Sequence, residues 1–116
     1  MVRKIKAYKN YFHKFYKKLN KIEKAKLNTA LDLLQMNQEF KLRKLVLPVV
    51  DIKGVYELRT QYGNNELRVY FVYEDKNIIF LFNGIRKKDQ KIKKKDLDKI
   101  KLIKKHYDTE KKHKKK

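Results

Sequence analysis

The sequence contains no cysteine. That excludes a disulfide scaffold, a thiolate metal site and a cysteine nucleophile. It contains no tryptophan, one proline and three glycines. Gly54, Gly63 and Gly84 are too dispersed to cradle a phosphate, and no P-loop, dinucleotide fingerprint or nucleophile elbow is present. NTP hydrolysis, hydride transfer and acyl transfer are therefore not expected. His13, His106 and His113 share no metal-ligand spacing, and neither an HExxH nor an EF-hand pattern occurs, so no metal or other cofactor is expected. No apolar run approaches the roughly 20 residues of a membrane span. The basic stretch Met1-Val2-Arg3-Lys4-Ile5-Lys6 leads into no apolar segment and does not read as a secretory signal. The expectation is a soluble, cytoplasmic protein with no membrane role.

Acidic residues are also scarce. Asp and Glu number 13 against 33 Lys and Arg, which gives a formal charge of +20 over 116 residues. Hydrophobic residues still make up 41%, enough for the core of one small domain. Such a charge attracts polyanions at a distance, and their binding weakens as salt rises. Only five of the basic residues are arginine. The charge is uneven, since residues 86–116 hold 16 basic and five acidic side chains. Residues 1–108 are expected to form a single domain and residues 109–116 a disordered basic tail.

There is no internal repeat and no Pro/Gly-rich linker. Val2 to Ala7 alternate apolar with basic residues, the pattern of a short edge strand. Tyr8, Tyr11, Phe12, Phe15, Tyr16 and Leu19 follow with helical spacing, which places them on one apolar stripe. Asn20 can stop that helix or cap the next, whose apolar positions run from Ile22 to about Met36. Two amphipathic helices with a short connection predict a helical hairpin. Residues 37–53 read as irregular. The period then changes to two over Val55–Gln61, Glu66–Tyr73 and Ile78–Ile85, which predicts a three-stranded antiparallel meander. A last helix is expected around Leu97, Ile100, Ile103 and Tyr107. The fold class is α+β: a helical hairpin packed on a small antiparallel sheet, with a short C-terminal helix.

The turns set the register. With Gly63-Asn64 as a two-residue turn, Leu58 faces Val69 and Tyr56 faces Phe71. With a four-residue loop over residues 74–77, Phe80 and Phe82 join them on one core face beneath the helical hairpin. The same register puts Arg59 opposite Arg68 on the other face, with Glu57 opposite Tyr70 and Asn83 beside Arg68. Like charges directly opposed across strands are unfavourable. Two of the five arginines nevertheless meet there, and a planar guanidinium grips phosphate in a way lysine cannot. The bland alternative is that Glu57 simply bridges to Arg59 or a neighbour. Arg86 lies past the end of the last strand and leads into the cationic segment Lys87, Lys88, Asp89, Gln90, Lys91.

RNA suits a basic site of this kind because its 2′-hydroxyl is a built-in nucleophile. The protein need only align that oxygen, stabilise charge on the phosphate and manage two protons. Clustered arginines supply the charge. A lysine among other cations is shifted toward neutral pH and can transfer a proton, and Lys87 and Lys88 are placed for it. Glu57, the carboxylate of the arginine face, is a candidate base. Arg68, Arg59, Lys87, Lys88 and Glu57 are the candidate catalytic set, with Arg86, Gln90, Lys91, Asn83 and Tyr70 as candidate RNA-binding residues.

Four segments occur in a telling order: Gly54-Val55-Tyr56-Glu57-Leu58-Arg59, Leu67-Arg68-Val69-Tyr70-Phe71, Ile79-Phe80-Leu81-Phe82-Asn83-Gly84-Ile85, and Lys87-Lys88 with Gln90-Lys91. Over about residues 2–108 the chain resembles the RelE/ParE superfamily of type II toxins, and among them the HigB-like toxins related to phage-derived proteins. The resemblance implies a toxin that cleaves mRNA on the ribosome through the 2′-hydroxyl and leaves a cyclic phosphate. It also implies a companion antitoxin with a helix-turn-helix domain, HigA-like, in a hetero-oligomer. Arg68 matches the strand arginine that stabilises the phosphate in related ribosome-dependent nucleases, and Arg59, Lys87, Lys88 and Gln90 match motif positions. The chain departs from the pattern at Asp89, where the family has Thr, and at Ile92-Lys93, where it has Thr-Pro. Two alternatives remain open at this point: a ParE-like gyrase poison on the same fold, and a noncatalytic protein that binds RNA or ribosomes.

Overall fold

The computed structural model describes residues 2–36, 43–87 and 93–114. Along the chain run β1 (Lys4–Ala7), α1 (Tyr11–Tyr16), α2 (Lys21–Gln35), β2 (Val46–Pro48), β3 (Val55–Tyr62), β4 (Asn65–Tyr73), β5 (Ile78–Lys87) and α3 (Lys94–Lys114). The five strands form one sheet in the order β1-β5-β4-β3-β2. The α+β architecture is as the sequence predicts, the N-terminal edge strand included, with two differences. The edge strand β1 is parallel to β5. A three-residue strand, β2, pairs with β3 inside the stretch expected to be irregular.

Asn20 caps α2. Its side chain accepts the Glu23 N–H at 2.8 Å, and the Glu23 carboxylate accepts the Asn20 N–H at 3.0 Å, a reciprocal capping box. The hairpin α1–α2 lays Phe12, Leu19, Leu27 and Leu34 on the sheet face formed by Leu58, Val69, Phe71, Ile79 and Leu81. Gly84 of β5 lies directly beneath the Phe15 ring of α1. A Cβ there would fall 2.3 Å from the Phe15 ring.

The β3–β4 register is the expected one, with Tyr62 opposite Asn65 and Arg59 opposite Arg68. Gly63 takes φ +58°, the left-handed conformation such a hairpin turn requires. The β4–β5 register is not the expected one. Tyr73 pairs with Ile79, and the Glu74 N–H reaches the Ile78 carbonyl at 2.8 Å, so the loop holds three residues. The Asp75 carboxylate closes that loop by accepting the N–H groups of Asn77 at 2.7 Å and Ile78 at 3.1 Å. A slip of one residue sends every side chain to the opposite face. Ile79 and Leu81 therefore fill the core under the hairpin, and Phe80 and Phe82 point the other way.

The pairing shifts again between Phe71, opposite Leu81, and Val69, opposite Gly84. Tyr70 thus faces two residues, Phe82 and Asn83, in a β-bulge. Beyond the bulge Arg68 pairs with Ile85, Leu67 with Arg86 and Glu66 with Lys87.

The second sheet face is half covered, where the sequence expectation left it open. Ile100, Ile103 and Tyr107 of α3 form a second core with Val55, Tyr70, Val72 and Phe82. Tyr107 donates to Glu74 at 2.6 Å, Lys111 lies 3.5 Å from the same carboxylate, and Lys9 pairs with Glu110 at 2.9 Å. These links lie on both sides of residue 108. The helix continues to Lys114, through most of the stretch expected to be a disordered tail.

Candidate functional site

The part of the second face beyond the α3 core lies at the Gly63 end of β3 and β4. Strand alternation brings Glu57 and Arg59 from β3, Glu66 and Arg68 from β4, and Lys87 from β5 to it. Arg59 donates from Nε to Glu57 Oε1 at 2.7 Å, and its terminal nitrogen lies 2.6 Å from the same oxygen. The other Glu57 oxygen lies 3.8 Å from a terminal nitrogen of Arg68. The Nε of Arg68 donates to Glu66. Two guanidiniums directly opposed across strands would repel, and two carboxylates interleaved with them remove that cost.

The cluster is layered. The Arg68 side chain is 4% exposed, against 35% for Arg59 and 23% for Glu66. Glu57 and Lys87 are buried beside them. Burial works against the charge on Arg68, but Glu66 and then Glu57 more than offset it, and its pKa is raised. Ions withdrawn from water persist only when paired in this way. Glu57, the candidate base, is therefore held between two arginines and acts as their spacer.

Two expected ligand-facing residues are part of the support instead. Tyr70 is fully buried in the core shared with α3, and Asn83 is buried at the bulge. Burial first, and the nearby Glu57 charge second, push the Tyr70 hydroxyl far above the usual phenol range. Arg86 is not in the cluster either. It lies on the α1–α2 face and binds Glu23 through two hydrogen bonds of 2.6 Å each. This pair ties β5 to the first turn of α2. The Arg86 hydrogen bond, ahead of the opposing effect of burial, holds the Glu23 carboxyl below its ordinary pKa. Lys88, Gln90 and Lys91 lie outside the described residues. Among the described residues no group of three or more His, Asp or Glu side chains converges as metal ligands do, and no helix is long and apolar enough to cross a membrane.

Glu66 was missed in the sequence, although its signal was there. It stands two residues before Arg68 in the same strand, so it must share that arginine's face.

A family model described as "Phage derived protein Gp49-like" matches residues 14–107. The chain belongs to the Gp49-like family. The matched span of this Gp49-like chain runs from α1 into α3 and includes the whole arginine–glutamate cluster. No curated protein matches it. Among solved structures, the chain is similar to one from the archaeal RelE–RelB complex of Pyrococcus horikoshii OT3. The TM-score is 0.52 at 15% identity, and the aligned region covers 78% of this chain and 100% of that one. The Gp49-like chain thus has a RelE-like fold.

Proposed function

We propose that this Gp49-like chain is the toxin of a type II toxin–antitoxin pair, of the HigB-like branch, and that it is a metal-independent endoribonuclease. Its substrate is mRNA on the translating ribosome in the cytoplasm. Family membership and the RelE-like fold support a toxin. The observation that carries the nuclease reading is the pairing of a partly exposed Arg59 with a buried Arg68 on the sheet face beyond the α3 core, beside Lys87, in a chain of charge +20.

In this reading the 2′-oxygen attacks the adjacent phosphorus and the bond to the 5′-oxygen breaks. The products are a 2′,3′-cyclic phosphate and a 5′-hydroxyl. One proton leaves the attacking hydroxyl and one reaches the departing oxygen. Arg59 and Arg68 stabilise the charge that builds on the phosphate, Glu57 sets their spacing, and Lys87 is the proton-transfer group on the same face. The solved RelE neighbour is in complex with RelB. By analogy a helix-turn-helix antitoxin, HigA-like, covers this basic site in a hetero-oligomer.

The test is growth arrest and transcript cleavage on induction of Arg68 variants. Arg68→Lys keeps the positive charge that Glu57 and Glu66 require and removes the planar fork. It is expected to lower cleavage about 100- to 1,000-fold, the usual cost of one transition-state donor, at unchanged expression and melting temperature. Arg68→Ala is expected to abolish growth inhibition. Arrest at the wild-type level in both variants contradicts the assignment, and arrest through DNA breaks with intact transcripts replaces it with gyrase poisoning.

A further inference from the structure

Where a polyanion is expected to bind, both arginines are already paired with acids. Within a chain of charge +20, the two arginines of the cluster are matched by two carboxylates, and Arg68 is in contact with both. The carboxylates differ in access. Glu57 is buried, bound to Arg59, and faces Arg68 at 3.8 Å. Glu66 is the more exposed of the two and takes the Arg68 Nε directly. It stands near the start of β4, two residues past the Gly63-Asn64 turn, with Lys87 as its partner across to β5.

We propose that the Glu66 carboxylate is an internal phosphate mimic that occupies Arg68 until RNA displaces it. The inference rests on the nuclease reading above and deepens it by naming what the RNA must compete with. A carboxylate and a phosphate present the same acceptor geometry to a guanidinium, so the two cannot hold the Nε together. Arg68 is thereby oriented, and its Nε is withheld from other anions, in the free protein. Glu57 remains behind as the spacer when Glu66 leaves. Glu66 is accordingly a specificity-determining residue: only a phosphate also held by Arg59 and Lys87 outcompetes it.

The test is binding of a single-stranded RNA oligonucleotide made uncleavable by 2′-deoxy substitution, followed by fluorescence anisotropy at several salt concentrations with the full chain. Glu66→Gln keeps the shape and removes the charge. Glu66→Asp keeps the charge and withdraws it by one methylene. Asp98→Asn makes the same charge change on the exposed side of α3 and serves as the control. Glu66→Gln is expected to bind about three- to tenfold tighter, Glu66→Asp to fall between it and wild type, and Asp98→Asn to change affinity by less than about twofold. Equal gains for Glu66→Gln and Asp98→Asn overturn the inference, because any lost acid would then serve. So does weaker binding by Glu66→Gln at an unchanged melting temperature. Wild-type binding that needs Arg68 but is indifferent to Glu66 overturns the mimic and leaves the nuclease reading standing. No binding by any of the proteins overturns both.

Discussion

Arg59 and Arg68 meet because Gly63 and Asn64 make a two-residue turn. A turn of that length fixes which side chains share a face, so this pair was legible from the sequence alone. Their partners were only half legible. Glu57 was recognised, but its role as a spacer between two guanidiniums depends on side-chain geometry that alternation does not give. Tyr70 and Asn83 were misplaced on the ligand surface because periodicity predicts the last helix without saying that it packs over Tyr70, and does not show the bulge that buries Asn83. Two residues outside the cluster carry sharp predictions. Gly84→Ala would drive a methyl group into the Phe15 ring, 2.3 Å away, and is expected to cost about 1–3 kcal/mol in denaturant unfolding; an unchanged midpoint would show that α1 does not need this close approach. Glu23 has a depressed pKa, so its stabilisation is full above the ordinary carboxylate value of 4.5 and is lost as pH falls through the lower folded value. Glu23→Gln is expected to cost about 1.5–3 kcal/mol near neutral pH. It should also flatten the loss of stability in acid, and an acid limb as steep as wild type would place that sensitivity elsewhere.

At the scale of elements, periodicity located both hairpin helices, the three long strands and α3, and it erred where length or parity is set by contacts. The loop between β4 and β5 reads as four residues, but the Asp75 side chain tightens it to three and reverses the face of the strand up to the bulge. The bulge at Phe82 and Asn83 then restores the face of Ile85 and Lys87, which is why Lys87 still lies beside the arginines. The strand β2 is too short to show a period and exists through its pairing with β3. The length of α3 was underestimated because its last turns look like a lysine tail, although lysine is a good helix former. Tyr107 and the residues after it separate two kinds of anchor. Tyr107→Phe removes a buried donor and leaves Glu74 with the more distant Lys111, at an expected cost of about 1 kcal/mol. Deleting residues 109–116 removes the partly exposed Lys9–Glu110 and Lys111–Glu74 pairs and is expected to leave the melting temperature nearly unchanged, because solvent screens such pairs. Loss of folding on that deletion would show that the end of α3 is a structural element in its own right.

Over the whole molecule, one sheet serves two purposes. Its first face carries the hairpin and most of the core. Its second face is divided between α3 and a charged cluster in which a buried Glu57 and a partly exposed Glu66 keep opposed arginines in place. In the proposed function the high net charge draws RNA from a distance, and the cluster sets where along the sheet a phosphate is gripped. Binding by the full chain is therefore expected to weaken steeply with salt. The central claim is that this grip leads to cleavage by the RNA's own 2′-hydroxyl. The most direct measurement is the mapping of transcript ends after brief induction of the wild-type chain and of Arg68→Lys at equal levels. New 5′-hydroxyl ends within coding regions, matched by 2′,3′-cyclic phosphate ends upstream in the wild type and absent in the variant, are the predicted result. Growth arrest with intact transcripts, or the same ends in both strains, would contradict it.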